Sequence, residues 1–191
     1  MIRTVFLNLI SSAAQALRPR MRKLSHNESG VGALEFALVF PVMLVMYFAT
    51  IEITDKTVVS RRVIGVAQTC ADLVAQVPSV SNSDLTNIYN ASTAILSPYS
   101  TSGIKITVTS VVADSNNVGK VAWSSTYNGT VKTTNSTVTL PAGLTTAGSS
   151  VIMVEVSYTH SPPIGKFLSG SSTITDTAYL RPRRSTTVTK T

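Results

Sequence analysis

Residues 30–53 read GVGALEFALVFPVMLVMYFATIEI and form the most apolar segment of the chain. Between residues 31 and 53 the only charged side chains are those of Glu35 and Glu52. At ~1.5 Å per residue, a helix of this length measures about 34 Å, which is enough to cross a hydrocarbon core of ~30 Å. The segment therefore predicts a single membrane-spanning helix.

The flanks predict the orientation of this helix. The 191-residue chain has a formal net charge of +7, and five of its 16 basic residues precede residue 30. Short basic flanks are retained in the cytoplasm. We therefore expect the N-terminus inside and everything after about Thr54 outside, although Arg61 and Arg62 then lie on the exported side. Loss of residues 1–30 would leave 11 basic and 8 acidic residues, a net charge of +3. The positive charge is therefore interpreted as a signal of membrane topology, and we expect no nucleic-acid partner.

A cleaved secretory signal peptide is the competing interpretation. Such a peptide has an apolar core of about 7–15 residues, followed closely by a small-residue cleavage site. Here a basic leader of 30 residues comes first, and the apolar run passes into an amphipathic helix without such a site. The nearest small residues, Ala49 and Thr50, are followed by Ile51 and Glu52. We therefore expect the helix to be retained.

Glu35 is the unusual residue of the span, because an unpaired carboxylate costs about 2.5 kcal/mol or more in lipid. A cut between Gly30 and Val31 would make Glu35 the fifth residue of the mature chain, about one helical turn from a new α-amino group. The carboxylate of one subunit would then pair with the amine of a neighbour and set their axial register. The alternative is a helix N-terminal acid that complements the macrodipole at the membrane surface.

Gly30, four intervening residues, and the pair Glu35 and Phe36 resemble the recognition motif of prepilin peptidases. Residues 28–41, ESGVGALEFALVFP, are similar to the opening of TadE-like proteins, the pseudopilins of the tight-adherence pilus system. Pro41 follows the glutamate by six residues, as in that family. The strong resemblance covers about 30 residues, 24–53.

The resemblance implies a role as well as a fold. It implies cleavage after Gly30 by a prepilin peptidase, insertion of the mature helix into the inner membrane, and work with other pilin or pseudopilin subunits and the assembly machinery. Phe36 stands where major pilins of this system usually carry Tyr, and the chain is far longer than those subunits. Both departures favour a minor, assembly-type component. Pro41 would bend the span, either as a flexible point used during extraction from the membrane or as a tolerated kink.

The sequence predicts three parts: a cytoplasmic leader over 1–30, a transmembrane and amphipathic helix over 31–76, and an exported periplasmic α+β head over 77–191 with a Thr-rich tail. About one third of the head is Ser and Thr. In the helix an apolar stripe recurs at helical spacing and includes Cys70, which we interpret as a small core residue. This stripe consists of Val59, Val63, Val66, Cys70, Leu73 and Val77.

Within the head, residues 83–95 predict one short helix capped by Ser83 and Asp84. An antiparallel sheet of about four strands is expected to follow. Its strands are expected over 104–112, 120–126, 151–158 and 173–180, with a hairpin turn over 114–119 between the first two.

The sequence contains no grouping typical of an enzyme, a metal site or a cofactor site. His26 belongs to the leader, and His160 precedes Pro162 and Pro163, which predicts a surface or capping residue in a loop. The basic tail from Arg181 to Lys190 is interpreted as a solvated charge run. The alternative to a pilus component is a membrane-tethered extracytoplasmic binding module, at the cell surface and outside any filament.

Overall fold

A computed structural model describes residues 30–162 and 170–191 of the chain. The chain divides into two compact units, one ending at Phe48 and one comprising Ala49–Thr191, which we call the globular unit. The leader prediction falls largely on residues 1–29, which lie outside the described residues.

Helix α1 spans Val31–Ala75 and contributes residues to both units. It contains Pro41 and ends at Ala75, just before Gln76. Pro78 follows shortly after and lacks the backbone N–H that a continuing helix needs. Its buried residues all belong to the globular unit, and all are small: Val59, Val63, Val66, Ala67, Cys70, Ala71, Val74 and Ala75. The apolar stripe predicted from the sequence is confirmed through Cys70. Beyond it, Val74 is the fully buried residue, whereas Leu73 and Val77 are half-buried.

The head contains an antiparallel sheet, as predicted, with five strands rather than about four. The bounds of its strands are β2 Ile104–Ala113, β3 Gly119–Tyr127, β4 Thr137–Val138, β5 Ser150–His160 and β6 Ser172–Leu180. In the sheet they lie in the order β4, β3, β2, β5, β6. The extra strand, β4, has two residues, too few for any alternation of apolar and polar side chains to show in the sequence.

The predicted hairpin between β2 and β3 is confirmed. Asp114 organises its turn, because Oδ1 accepts hydrogen bonds from the backbone N–H groups of Asn116 and Val118, each at 2.9 Å. Asn117 has a φ of 59°, a left-handed conformation that asparagine adopts more readily than most residues.

One face of the sheet packs against α1. Strand alternation places Ile104, Ile106 and Val108 of β2 on this face, paired in register with Tyr158, Val156 and Val154 of β5. These residues and the buried stripe of α1 form one hydrophobic core. The cohesion of the globular unit therefore comes from burying aliphatic side chains between one helix and one sheet, at about 25 cal/mol per Å² of apolar surface.

Helix α2, Asn82–Thr93, is the predicted short helix, and a 3-10 turn over Ala94–Leu96 continues it. Of the two predicted capping residues Asp84 is confirmed, whereas the N-cap is Ser81 and not Ser83. The Asp84 N–H donates to Ser81 Oγ at 3.2 Å, and the Ser81 N–H donates to Asp84 Oδ2 at 2.9 Å. This reciprocal capping box satisfies two backbone donors at the helix start. The hydrogen bonds from the Ser81 hydroxyl and backbone N–H lower the pKa of Asp84.

The C-terminal tail is packed onto the globular unit, which corrects the prediction of a merely solvated segment. Its last strand, β7 (Thr189–Lys190), pairs in parallel with β1 (Ser79–Val80). Val188 is buried, and its carbonyl accepts a hydrogen bond of 2.7 Å from Trp123 Nε1. The basic side chains remain exposed, so only the backbone and Val188 depart from the prediction.

Candidate functional site

The predicted processing site lies at the start of α1. Gly30 is exposed and directly precedes the helix, and Val31 is its first residue, with 49% of its surface exposed. A Cβ added at Gly30 or at Gly32 would meet no atom within 4 Å. Packing among the described residues therefore does not require glycine at either position.

The other predicted site residues follow on the same helix, each exposed. Glu35 is the fifth residue of α1, and Phe36 is 60% exposed, with its ring centroid 5.3 Å from that of Phe40. Pro41 lies inside the helix, where its missing N–H leaves the carbonyl of Ala37 without its usual donor. The structure thus places Glu35 and Phe36 at adjacent positions within about the first turn and a half, with Pro41 one to two turns later.

Residues 31–48 expose a continuous apolar surface. Leu34, Leu38 and Met46 are each 66% exposed or more. The mean hydropathy of the most apolar 18-residue window of α1 is 2.1, and none of that window is buried. Among the described residues this is the one helix with the length and composition needed to cross a membrane. A contiguous apolar surface of this size requires lipid or other apolar helices around it. It fits a single-pass membrane protein.

A second group of polar side chains lies within the globular unit, where β5 ends beside α1. We call Asp55, Arg62, Tyr99 and His160 the Asp55 cluster. The Tyr99 hydroxyl donates to Asp55 Oδ1 at 2.6 Å, and His160 Nε2 lies 2.8 Å from Asp55 Oδ2. The bond to Asp55 is the main reason that the pKa of Tyr99 is raised, with burial adding to it. One carboxylate thereby joins α1 to both the segment after α2 and the end of the sheet.

The predicted surface position of His160 is wrong, since only 4% of the residue is exposed. Strand β5 runs two residues past the predicted end at Tyr158, and His160 pairs in register with Ser172 of β6. Alternation puts His160 on the same face as Val156 and Tyr158. This alternation was the signal in the sequence that His160 is buried, but the two prolines that follow suggested a loop.

The contacts of Arg62 explain how a cationic side chain can lie on the side of α1 that faces the core. Its guanidinium donates to the backbone carbonyls of Ile95, at 2.9 Å, and Ser97. It also lies 5.7 Å from the centroid of the Tyr99 ring, within cation–π range. Arg62 is therefore part of the folded structure.

A polar groove of about 510 Å³ occupies the other face of the sheet. The ion pair between Lys132 Nζ and Glu155 Oε2, at 2.9 Å, lies along it, and Lys105, Asp176 and several threonines complete its walls. Within residues 30–162 and 170–191, no three His, Cys, Asp or Glu residues are grouped as metal ligands would be.

Comparison with known proteins decides what the N-terminal segment is. Residues 30–72 match the family model of TadE-like proteins. This segment is TadE-like. The match confirms the predicted resemblance and indicates a component associated with a tight-adherence pilus. Neither the curated proteins nor the solved structures contain a match to the chain.

The TadE-like segment extends well beyond the apolar span. It includes Asp55 and Arg62, and most of the small buried residues of α1 up to Cys70 and Ala71. The segment therefore supplies both the exposed apolar surface and one wall of the globular core. Residues after 72, including His160, are described by the structure alone.

Proposed function

We propose that this protein is a minor pseudopilin, an assembly component of a tight-adherence type IV pilus, processed by a prepilin peptidase after Gly30. The observation that carries the proposal is the coincidence of two boundaries: the TadE-like match begins at residue 30, and α1 begins at Val31. A cut at this point would release a mature chain whose first residue starts an exposed apolar helix. The proposal assigns no reaction, metal or cofactor to the chain.

Gly30 supports the processing step by elimination. Among the described residues, no neighbouring atom accounts for a glycine there, and neither does a left-handed backbone angle. A protease must bind several residues of backbone closely, and a residue without a side chain permits that approach. We therefore assign the glycine to recognition by the peptidase.

Glu35 would then act between subunits. On a helix that starts at Val31, the carboxylate lies about one turn from the new α-amino group. Its exposed position leaves it accessible to the amine of a neighbouring pilin, and apolar surroundings strengthen such a pair. This interaction would align subunits along their helices, and Pro41 would provide a flexible point during extraction from the membrane.

The proposed topology places the leader in the cytoplasm and the globular unit in the periplasm. The basic residues ahead of the span support this orientation. The partners are the prepilin peptidase, other pilins or pseudopilins, and the assembly machinery in the inner membrane.

The first test is the N-terminal residue of the protein purified from its native membrane, determined by mass spectrometry. Val31 is expected, and Met1 would overturn the processing step. Gly30→Val should block cleavage. Gly32→Val is the matched control, because both glycines are exposed and a Cβ added at either would meet no described atom within 4 Å. If both variants are cleaved equally, Gly30 is not recognised.

The second test separates cleavage from assembly. Glu35→Ala and Glu35→Gln should both be cleaved normally and should both reduce piliation, since neither keeps the negative charge. Glu35→Asp should restore part of the assembly. Normal piliation with Glu35→Gln would exclude the ion pair.

A membrane-tethered binding module is the second candidate, favoured by the polar groove beside Lys132 and Glu155. In that case α1 would serve as an anchor only, and the groove would hold a polar ligand. Retention of Met1 together with normal piliation in a deletion strain would favour this candidate over the first.

A further inference from the structure

The C-terminal segment carries a concentrated positive charge. Residues 181–191 contain four basic side chains and no acid. All four are exposed: Arg181, Arg183, Arg184 and Lys190. The sequence alone indicates a solvated tail, whereas the structure shows these charges on a folded segment.

The backbone of this segment is fixed at several points along its length. Arg183 N donates to the carbonyl of Ala75 at 2.9 Å, and the Ser150 hydroxyl donates to the carbonyl of Thr186 at 2.6 Å. Farther along, Val188 is buried, and its carbonyl accepts a hydrogen bond of 2.7 Å from Trp123 Nε1. Because the backbone is already ordered, a ligand that bound these cations would pay less ordering entropy than with a free tail.

Most of this charge is not neutralised within the globular unit. Arg183 Nη2 forms an ion pair of 2.6 Å with Asp72 Oδ1. Arg181 donates two hydrogen bonds to the carbonyl of Leu144, at 3.1 and 2.8 Å, and a carbonyl has no net charge to offset the guanidinium. Arg184 and Lys190 have no acidic partner among the described residues.

The segment lies at the end of the globular unit where α1 finishes. Arg183 contacts Ala75, and Lys190 pairs with Val80, five residues farther along the chain. The Asp55 cluster marks the opposite end, because α1 and the adjacent strand β5 run between the two. The cations are therefore grouped at the end remote from the residues that follow the apolar span.

We propose that Arg181, Arg184 and Lys190 form a binding surface for an acidic polysaccharide. Several cations carried by an ordered backbone on an exposed surface attract a ligand with repeated negative charges, and a linear polymer of carboxylated sugars supplies them at regular intervals. The binding depends on the globular unit alone, whereas its placement outside the cell rests on the proposed function. A pilus component with this surface would attach to a carboxylated surface through the Arg181 end of the globular unit.

The test uses the full chain in detergent and polygalacturonate immobilised on a sensor. At about 50 mM salt, the triple substitution Arg181→Gln, Arg184→Gln, Lys190→Gln should weaken binding about tenfold or more, with a shallower salt dependence. The matched control is Lys56→Gln, Arg61→Gln, Lys120→Gln, which removes the same charge from other positions on the unit that lie outside the polar groove. Binding by the control should fall less than threefold.

Three outcomes would overturn the proposal: equal losses in both triple variants, no loss in the first variant, or equally strong competition by double-stranded DNA. Because Arg181→Gln also removes the contact to Leu144, the double variant Arg184→Gln, Lys190→Gln is measured alongside. An unchanged Trp123 fluorescence spectrum verifies that the segment stays folded. The N-terminal residue of each preparation is determined separately. Val31 without polygalacturonate binding would refute only the binding surface, and Met1 with binding would refute only the processing.

Discussion

Substitution of Asp55 tests whether α1 is joined to the sheet by one carboxylate. Asp55→Ala removes the acceptor for the Tyr99 hydroxyl, at 2.6 Å, and the partner of His160 Nε2, at 2.8 Å. His160 is 4% exposed, so water cannot easily replace the lost partner. Tyr99 is only half-buried and can turn its hydroxyl toward solvent.

The magnitude follows from this asymmetry. A hydrogen bond to a charged group contributes about 1.5–3 kcal/mol, and an orphaned buried group costs about 1–3 kcal/mol. Because only the His160 side bears the full penalty, we expect the free energy of unfolding to fall by ~2–4 kcal/mol. For a unit of this size, the midpoint of thermal unfolding should fall by about 6–15 °C.

Trp123 provides the assay, because it is the single tryptophan of the chain and is buried in the globular unit. Its fluorescence during urea unfolding of the detergent-solubilised protein reports the stability of that unit. Lys56→Ala is the control, since Lys56 is the next residue and is exposed, and its effect should stay within about 0.5 kcal/mol. A loss below about 1 kcal/mol for Asp55→Ala, or a loss equal to that of the control, would refute the role given to this carboxylate.

Two further predictions concern the core. Burial raises the pKa of the Cys70 thiol to about 12, so maleimide should label it only after unfolding. Because the folded pKa is above the unfolded value of 9.0, stability should be full below pH 9 and fall as the pH rises toward 12, by up to about 1.4 kcal/mol per pH unit. Cys70→Ala should remove that part of the slope, and an unchanged slope would contradict the assignment. Gly103→Ala should lower the urea midpoint, because the new Cβ would lie 2.8 Å from the Thr159 carbonyl oxygen. In contrast, Gly65→Ala should raise stability by about 0.5–1 kcal/mol, since the nearest atom would be at an ordinary 3.5 Å and the site is helical; equal effects would show that neither geometry matters.

The features predicted correctly are those with a strong local signal. A continuous apolar run predicts the helix from Val31, and alternation predicts the hairpin and strand β5 as far as Tyr158. In each case the alternation of apolar and polar residues along one segment is enough to predict the element, because the same few residues supply both its buried and its exposed face. The TadE-like segment was predicted on similar grounds, from a compact set of residues between Gly30 and Pro41.

The features missed depend on partners distant in the chain. The pairing of Val80 with Lys190 joins segments more than a hundred residues apart, and neither two-residue strand carries a periodic pattern of its own. His160 looked exposed because the following prolines suggested a loop, and its partner Asp55 lies 105 residues earlier. Ser81 was passed over as a cap because Ser83 offered the same chemistry two residues later. No local rule ranks two such candidates.

The TadE-like segment combines two different requirements on one helix. From residue 31 to 48 most side chains are apolar and all are exposed, so lipid or any apolar helix can satisfy the apolar ones. From Val59 onward the buried residues are Val, Ala and Cys, whose small size lets the helix approach the sheet closely. Larger side chains should therefore be tolerated in the first part and excluded from the second. The globular unit has already buried its own apolar face, and the exposed part of α1 has not. If the subunit leaves the membrane for a filament, residues 31–48 are where neighbouring helices must replace lipid, and Glu35 is the one charged group in that stretch available to fix their alignment.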